Sequence, residues 1–346
     1  MGSRMTDGPG IVTKDLSHVS KRTYRNRSLL NLLKMGHCAP AVMQTMLDFT
    51  HTGKEWPVKL AAGLQGGIGN TGFECGGVTS PLVMLGLRYG LRESHQGLPL
   101  IFYKGYYHCQ RFVDCNNTLL CSEIRGKARL PTRCLRPISR SPEYYAEILA
   151  SDSNGALAGE RSEAYSRLYS HLAGKVFHCA HAVLQHLSHT ITVDRELLDA
   201  TSAFMGGTLL KGMTCSAYAA GVMATGLKIG EIENSRLRVL RMIATMIIGR
   251  NAFDDDMNKF NRIMNIGKRM AEWFSDEFGN TQCQAITQCD FSSVADVTKY
   301  IESDCITRCT MIAEKVGEKV HKILQEAEPS RKVLPFLPEV EEGSHS

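Results

Sequence analysis

The chain has 346 residues, of which 43% are hydrophobic and 22% are charged, and its net charge at neutral pH is +5. This composition is typical of a soluble globular protein and excludes a collagen-like or disordered chain. The positive charge is modest, so we expect no nucleic-acid partner. No apolar run approaches the ~20 residues that span a bilayer, and the first residues lack the pattern of a secretory signal. We therefore expect a cytoplasmic protein that does not bind membranes.

The first half of the chain predicts helices separated by turns. Residues 1–27, where basic residues cluster near the end, predict a flexible N-terminal arm. Apolar residues then recur every three or four positions over 28–47 and 57–65, as on one face of an α-helix. Another helix is expected after Cys75, and Gly90 is placed to end it as a C-cap glycine.

A linker and a second series of helices follow. Residues 151–162 are small, polar and contain glycine, which is typical of a linker. Helical spacing returns over 163–188 and 196–205, and the helix expected after Cys215 ends at Gly230.

The last part of the chain also predicts helices, and they cover 237–247, 255–278 and 303–326. The acidic run 254–256 is placed to cap the second of these, and Gly279 is placed to end it. The tail 329–346 is rich in proline and then acidic, so we expect it to be extended or disordered. No segment shows sustained strand alternation, and the sequence therefore predicts an all-α fold.

An internal repeat connects the two halves. The stretches "GHCAPAVMQ" and "FHCAHAVLQ" share a His-Cys-Ala step that contains Cys38 in one copy and Cys179 in the other. Residues 61–90 also align without a gap on 201–230. The aligned positions include Gly66, Gly67, Gly72 and Cys75 on Gly206, Gly207, Gly212 and Cys215. Matches of this kind indicate a tandem duplication.

The duplication predicts two tandem related helical bundles, a first domain at 28–150 and a second at 163–328. Each is long enough to be expected to have a core of its own.

Cysteine is unusually frequent, with 12 residues. In a reducing compartment stable disulfides are disfavoured, so many cysteines indicate metal ligation or redox chemistry. The alternative is that they are small buried core residues.

The order of these features resembles the C-GCAxxG-C-C family, a redox-active family that also supplies a domain of the split-Soret cytochromes. In the second copy the resemblance lies in "FHCAHAVLQHL", "GGTLLKGMTCSAYAAGVMATGLKIG", "FSDEFGNTQCQAI" and "CITRCTMIAEKV". It implies two sets of four ligating cysteines: Cys38, Cys75, Cys121 and Cys134, then Cys179, Cys215, Cys283 and Cys305. Pro81 departs from the pattern, and Cys109, Cys115, Cys289 and Cys309 are additional thiols.

The chemistry of these residues agrees with the resemblance. Four thiolates from separate segments can surround an iron–sulfur cluster or a tetrahedral zinc ion, and their wide spacing argues against a compact zinc knuckle. The aligned glycines are expected to let the backbone approach the cofactor and to leave amides free for its sulfur atoms. His37 and His178 adjoin the first cysteines, but neighbouring residues do not share a helix face. We expect them at the surface or beside the site, not as ligands.

The leading interpretation is a redox protein with an iron–sulfur cluster in each copy, which exchanges electrons with a protein partner or a small acceptor. A thiol–disulfide enzyme, a zinc-binding scaffold and a metal-free scaffold remain as alternatives. A homodimer is possible, and the first copy could have lost its site.

Overall fold

The computed structural model describes residues 19–50, 53–90, 100–126, 132–150, 160–173, 178–231, 237, 239–240, 244 and 258–327. Within these ranges the chain forms helices and two isolated β-bridges but no strand, and the predicted all-α fold is confirmed. None of the described helices has the length and apolar character needed to cross a bilayer.

The helices of the first copy are α1 (Lys21–Met35), α2 (Cys38–Thr50), α3 (Trp56–Ala62), α4 (Gly76–Tyr89), α5 (Leu100–Asn116), α6 (Cys121–Arg125) and α7 (Leu135–Ala150), with a 3₁₀ turn at Thr132–Cys134. Those of the second copy are α8 (Glu160–Ala173), α9 (Cys179–His186), α10 (Arg195–Thr201), α11 (Ser216–Ile229), α12 (Asn258–Phe278), α13 (Cys283–Thr287), α14 (Val294–Glu302) and α15 (Cys305–Ala327).

Helix α1 begins before the predicted helical segment. The Ser20 hydroxyl caps it by accepting a hydrogen bond from the Thr23 amide at 3.2 Å. Lys21 forms an ion pair with Glu147 of α7 at 2.6 Å. Residues 21–27 are therefore helical and packed, and the prediction of a flexible arm is wrong for them.

Two predicted helices are each divided in two. Gly36, at φ 72°, ends α1, so the spacing over 28–47 belongs to α1 and α2. His178 is extended and caps α9, so the spacing over 163–188 belongs to α8 and α9. Buried residues lie on both sides of each break, which is why the apolar spacing continues across it.

The predicted helix ends are found where the structure describes them. Gly90 and Gly230 end α4 and α11, and Gly279, at φ 84°, follows α12. The acidic run 254–256, most of 237–247, residues 151–159 of the linker and the tail 329–346 lie outside the described residues.

The two copies share one hydrophobic core, because buried residues of both belong to a single continuous cluster. Helix α3 of the first copy packs on α11 of the second, and α10, the counterpart of α3, packs on α4. Each copy thus covers a helix of the other, and the expectation of a separate core for each copy is wrong.

Two aligned glycines allow these crossed pairs to pack. A Cβ atom at Gly86 of α4 would lie 2.2 Å from the carbonyl oxygen of Asp199 in α10. A Cβ atom at Gly226 of α11 would lie 2.6 Å from the amide nitrogen of Gly63, just after α3. Because interiors are close-packed, only glycine permits this approach.

Candidate functional site

A loop of unusual backbone conformation follows α3 in the first copy and α10 in the second. Residues 66–70 and 72 have positive φ in the first loop, and so do residues 206–210 and 212 in the second. Glycine adopts this region at little cost, whereas Ile68 and Leu209 are strained there. Such strain concentrates at functional sites, and it recurs here at matching positions.

Each loop is tied to the second and third cysteines of its copy. The Cys121 amide donates to the Phe73 carbonyl at 2.6 Å, and the Cys75 amide donates to the Leu119 carbonyl at 2.8 Å. The equivalent bonds at the same two distances join Cys283 to Met213 and Cys215 to Thr281. This backbone frame fixes two cysteines relative to the loop in the same way in both copies.

Glycines leave room for the third cysteine. A Cβ atom at Gly67 would lie 2.8 Å from Cβ of Cys121, and one at Gly207 would lie 2.6 Å from Cβ of Cys283. The matching contacts of Gly72 and Gly212 are with Ser122 at 2.9 Å and Gln284 at 2.8 Å. A side chain at Gly67 or Gly207 would therefore displace the cysteine itself.

The four cysteines assigned to the first copy lie close together. Cys38 begins α2, Cys75 caps α4, Cys121 begins α6, and Cys134 ends the 3₁₀ turn. Burial raises the pKa of Cys75 well above its usual 9.0, and Cys121, Cys38 and Cys134 raise it further through charge repulsion. Burial, with repulsion from Cys38 and Cys134, raises the pKa of Cys121 to about 12. Burial, with repulsion from Cys38, raises the pKa of Cys134 to about 11. We call these four residues the first cysteine set.

In the second copy the thiol that interacts electrostatically with Cys179, Cys215 and Cys283 is Cys309, while the predicted Cys305 lies one helical turn before it. Burial raises the pKa of Cys283 well above its usual value, and charge repulsion from Cys215, Cys179 and Cys309 raises it further. The charge of Cys305 instead raises the pKa of Cys309 and of Cys289. Both lie in the first turns of α15, one turn apart, and spacing alone cannot choose between them. We call Cys179, Cys215, Cys283 and Cys309 the second cysteine set.

Backbone amides are directed at the cysteine sulfurs of both sets. Burial raises the pKa of Cys38, while the Gly66 amide lowers it by hydrogen bonding to the sulfur. The Gly206 amide does the same for Cys179, whose pKa burial raises to about 12. The amides of Gly77 and of Ala217 and Tyr218 are directed at Cys75 and Cys215 respectively. An amide that donates to sulfur stabilises negative charge there.

A buried carboxyl group connects the two sets, and sequence reasoning did not single it out. Glu74 is 1% exposed and directly precedes Cys75. Its carboxyl accepts hydrogen bonds from the hydroxyl groups of Thr208, at 2.7 Å, and Thr214, which directly precedes Cys215. Burial raises the pKa of Glu74 despite these bonds. The only sequence signal is a charged residue aligned with threonine beside a predicted ligand.

The remaining predicted thiols and histidines have other surroundings. Cys109 is buried near Lys211 and Glu74, and Cys115 contacts Tyr144. His37 and His178 are buried, which excludes the surface location that the sequence allowed. His178 caps α9 and its Nε2 lies 3.1 Å from the Ser202 carbonyl oxygen, a structural role next to Cys179.

All twelve cysteines are free thiols in the structure. Among the described residues, no three or more His, Cys, Asp and Glu side chains are grouped as a single metal ion would need. The thiols of each set are thus close enough to influence one another without surrounding one ion.

Two stretches of the chain, residues 36–148 and 177–323, match the model of the family described as "Putative redox-active protein (C_GCAxxG_C_C)". The chain belongs to this family. The two matches cover about three quarters of the chain and confirm the predicted resemblance and the predicted tandem duplication. No curated protein and no solved structure matches the chain. Membership of the C-GCAxxG-C-C family identifies the cysteine sets as belonging to a redox-active protein.

Proposed function

We propose that the chain is an electron-transfer protein in which each cysteine set holds an iron–sulfur cluster. The observation that carries this proposal is the recurrence, in both copies, of four neighbouring thiols on four separate segments, with the second and third held by identical backbone bonds. Thiolates are the usual ligands of iron in such clusters, which supply one-electron redox chemistry when bound.

The surroundings of the sets support the same proposal. The donors are soft sulfur atoms, and backbone hydrogen bonds tie the second and third cysteines of each set to the glycine loop. Their neighbours are largely apolar, which limits the access of water. The amides of Gly66 and Gly206 are directed at Cys38 and Cys179. Hydrogen bonds to ligand sulfur and exclusion of solvent are the means by which proteins adjust the reduction potential of such centres.

Cys309 is included in the proposed ligands of the second set, and Cys305 is not. The first set is proposed as the sequence assigned it. We therefore propose two sites of equal composition, and neither copy is expected to be degenerate.

Anaerobic purification of the full chain, followed by visible absorption and analysis of iron and acid-labile sulfide, tests the proposal. We expect a coloured protein with both elements, and we expect Cys75→Ser and Cys215→Ser each to remove about half of the iron. A colourless protein without iron or sulfide after reconstitution would overturn it.

The same preparation separates the alternatives. Stoichiometric zinc without a visible chromophore would support a zinc scaffold. A dithiothreitol-sensitive disulfide, with turnover that survives chelation, would support a thiol–disulfide enzyme.

A further inference from the structure

The two copies differ in the charge of the segment between the third and fourth cysteines. Between Cys121 and Cys134 the chain has four basic residues and one acidic residue. Between Cys283 and Cys309 it has four acidic residues and two basic ones. The copies are otherwise alike in their backbone frames, so this inversion of charge distinguishes the surroundings of the two sets.

In the first copy, Arg125 lies beside the part of the cysteine set that reaches the surface. Cys134 is half-buried, and Leu135 beside it is 42% exposed. Arg125 is close enough for its charge to act on both Cys121 and Cys134. A positive charge therefore lies next to a thiol of the first cysteine set at the protein surface.

Two further arginines extend this surface. Arg133 is exposed, and its Nη1 atom would lie 3.0 Å from a Cβ atom at Gly126, next to Arg125. Arg136 is exposed at the start of α7. Within the described ranges, Arg125, Arg133 and Arg136 form no ion pair with a carboxylate. Their charges are thus available to an external partner. We call these three arginines, with Cys134 and Leu135, the basic face.

We propose that the basic face docks an acidic electron-transfer protein. The proposal rests on the proposed function, since it names the partner class of the first cysteine set. Complexes of electron-transfer proteins are small and transient, and complementary charge guides their association. An exposed apolar residue within a charged rim is the usual anatomy of such a contact. The half-buried ligand Cys134 at its centre would bring the partner next to the site.

The second copy presents the opposite charge at the matching place. Asp290, Glu302 and Asp304 are exposed in the segment that contains Cys289 and Cys305, where they outnumber the exposed Lys299 and Arg308. An acidic partner is repelled there, because like charges placed across an interface disfavour binding. The acidic protein is therefore expected to bind at one of the two copies only.

Binding to flavodoxin, an acidic electron-transfer protein, tests the proposal with the full chain. The probe variant is Arg133→Glu with Arg136→Glu. The matched control is Arg22→Glu with Arg167→Glu, two exposed arginines on α1 and α8 that change the net charge equally. Circular dichroism verifies that both variants are folded.

We expect the wild-type chain to bind labelled flavodoxin at low ionic strength and to lose affinity as salt is added. The probe variant is expected to bind about tenfold more weakly or worse, and the control is expected to stay within about twofold. The affinity for cytochrome c, a basic protein, should be no lower in the probe variant than in the wild-type chain. Absence of binding by the wild-type chain, or equal affinities of the probe and control variants, would overturn the proposal. Binding that follows the expected pattern in a chain without iron would overturn the proposed function and leave the docking face standing.

Discussion

Glu74 and Thr214 occupy equivalent positions in the two copies, and their side chains are hydrogen bonded to each other. Each directly precedes the cysteine that caps the following helix, Cys75 or Cys215. Helices α3 on α11 and α10 on α4 make reciprocal contacts between the copies, as an approximate two-fold axis requires, and a contact between equivalent positions lies near that axis. The two cysteine sets are therefore joined through one buried carboxyl group.

Replacing Glu74 tests the contribution of this contact to stability. In Glu74→Leu the hydroxyl groups of Thr208 and Thr214 lose their acceptor, and we expect a loss of about 2–4 kcal/mol in the free energy of unfolding. Glu74→Gln keeps a carbonyl acceptor and is expected to lose about 1 kcal/mol. Urea unfolding followed by circular dichroism measures both. Equal stability of the two variants would show that the hydrogen bonds contribute nothing.

Glu74 should also make stability depend on pH. Its folded-state pKa is raised by burial above the usual value of 4.5, so the folded state favours the protonated carboxyl. The stability that protonation contributes is complete below the unfolded-state pKa and is lost as pH rises through the folded-state pKa. The free energy of unfolding of the wild type, relative to Glu74→Gln, should therefore decrease as pH rises from about 4.5. Urea titrations at a series of pH values measure this difference, and a difference independent of pH would contradict it.

Alanine at Gly67 or Gly207 should disrupt one cysteine set at a time. The added Cβ atom would meet the third cysteine in a backbone conformation that is already unfavourable for alanine. We expect each substitution to cost about 3 kcal/mol or more and to remove about half of the bound iron. Gly53→Ala is the matched control, since φ is 62° there but no atom lies within 4 Å of the added Cβ. It should cost about 1 kcal/mol and retain all the iron. Iron content and urea midpoints report both effects, and a Gly67→Ala chain as stable as the control would contradict this reasoning.

Serine substitutions distinguish Cys309 from Cys305 as the fourth ligand of the second set. The charge of Cys309 raises the pKa of Cys215 and of Cys283. The Cys305 thiol instead donates a weak hydrogen bond to the Thr287 carbonyl oxygen at 3.7 Å. We expect Cys309→Ser to lose about half of the iron and sulfide and Cys305→Ser to retain both. Loss of iron from Cys305→Ser alone would restore the ligand that the sequence suggested.

The crossed helix pairs predict that the two copies unfold together. Alanine at Gly86 would push α4 away from α10, and alanine at Gly226 would push α11 away from α3. We expect each substitution to lower the free energy of unfolding by about 2 kcal/mol or more. Because the core is shared, either change should lower the midpoint of one common thermal transition. Calorimetry that resolves two transitions, with only one shifted by each variant, would contradict a shared core.

The duplication, the helical class and the glycine positions could be predicted because they are local or repeated in the sequence. The glycines of the loops and of the crossed helices align without a gap, although only the structure shows that Gly86 and Gly226 serve contacts between copies. Periodicity did not show the breaks at Gly36 and His178, since residues on either side of each break face the same core.

The fourth cysteine and the link between the copies could not be predicted from one sequence. Cys305 and Cys309 both begin the same helix, and the choice depends on how α15 is rotated against α9 and α11. Glu74 gains its role from Thr208 and Thr214, which are more than 130 positions away. Sequence patterns describe a residue's neighbours along the chain, whereas these contacts join residues that are far apart in the sequence.

The Glu74–Thr214 contact has a consequence for ancestry. In a symmetric dimer of identical single-copy chains, the residue on the two-fold axis would face itself, and two buried glutamates would repel each other. Joining both copies in one polypeptide removes that restriction, because a residue in one copy can then be substituted while the equivalent residue in the other copy stays the same. A carboxyl opposite a hydroxyl, and a basic segment opposite an acidic one, are arrangements that two diverged copies can adopt and a symmetric pair of identical chains cannot.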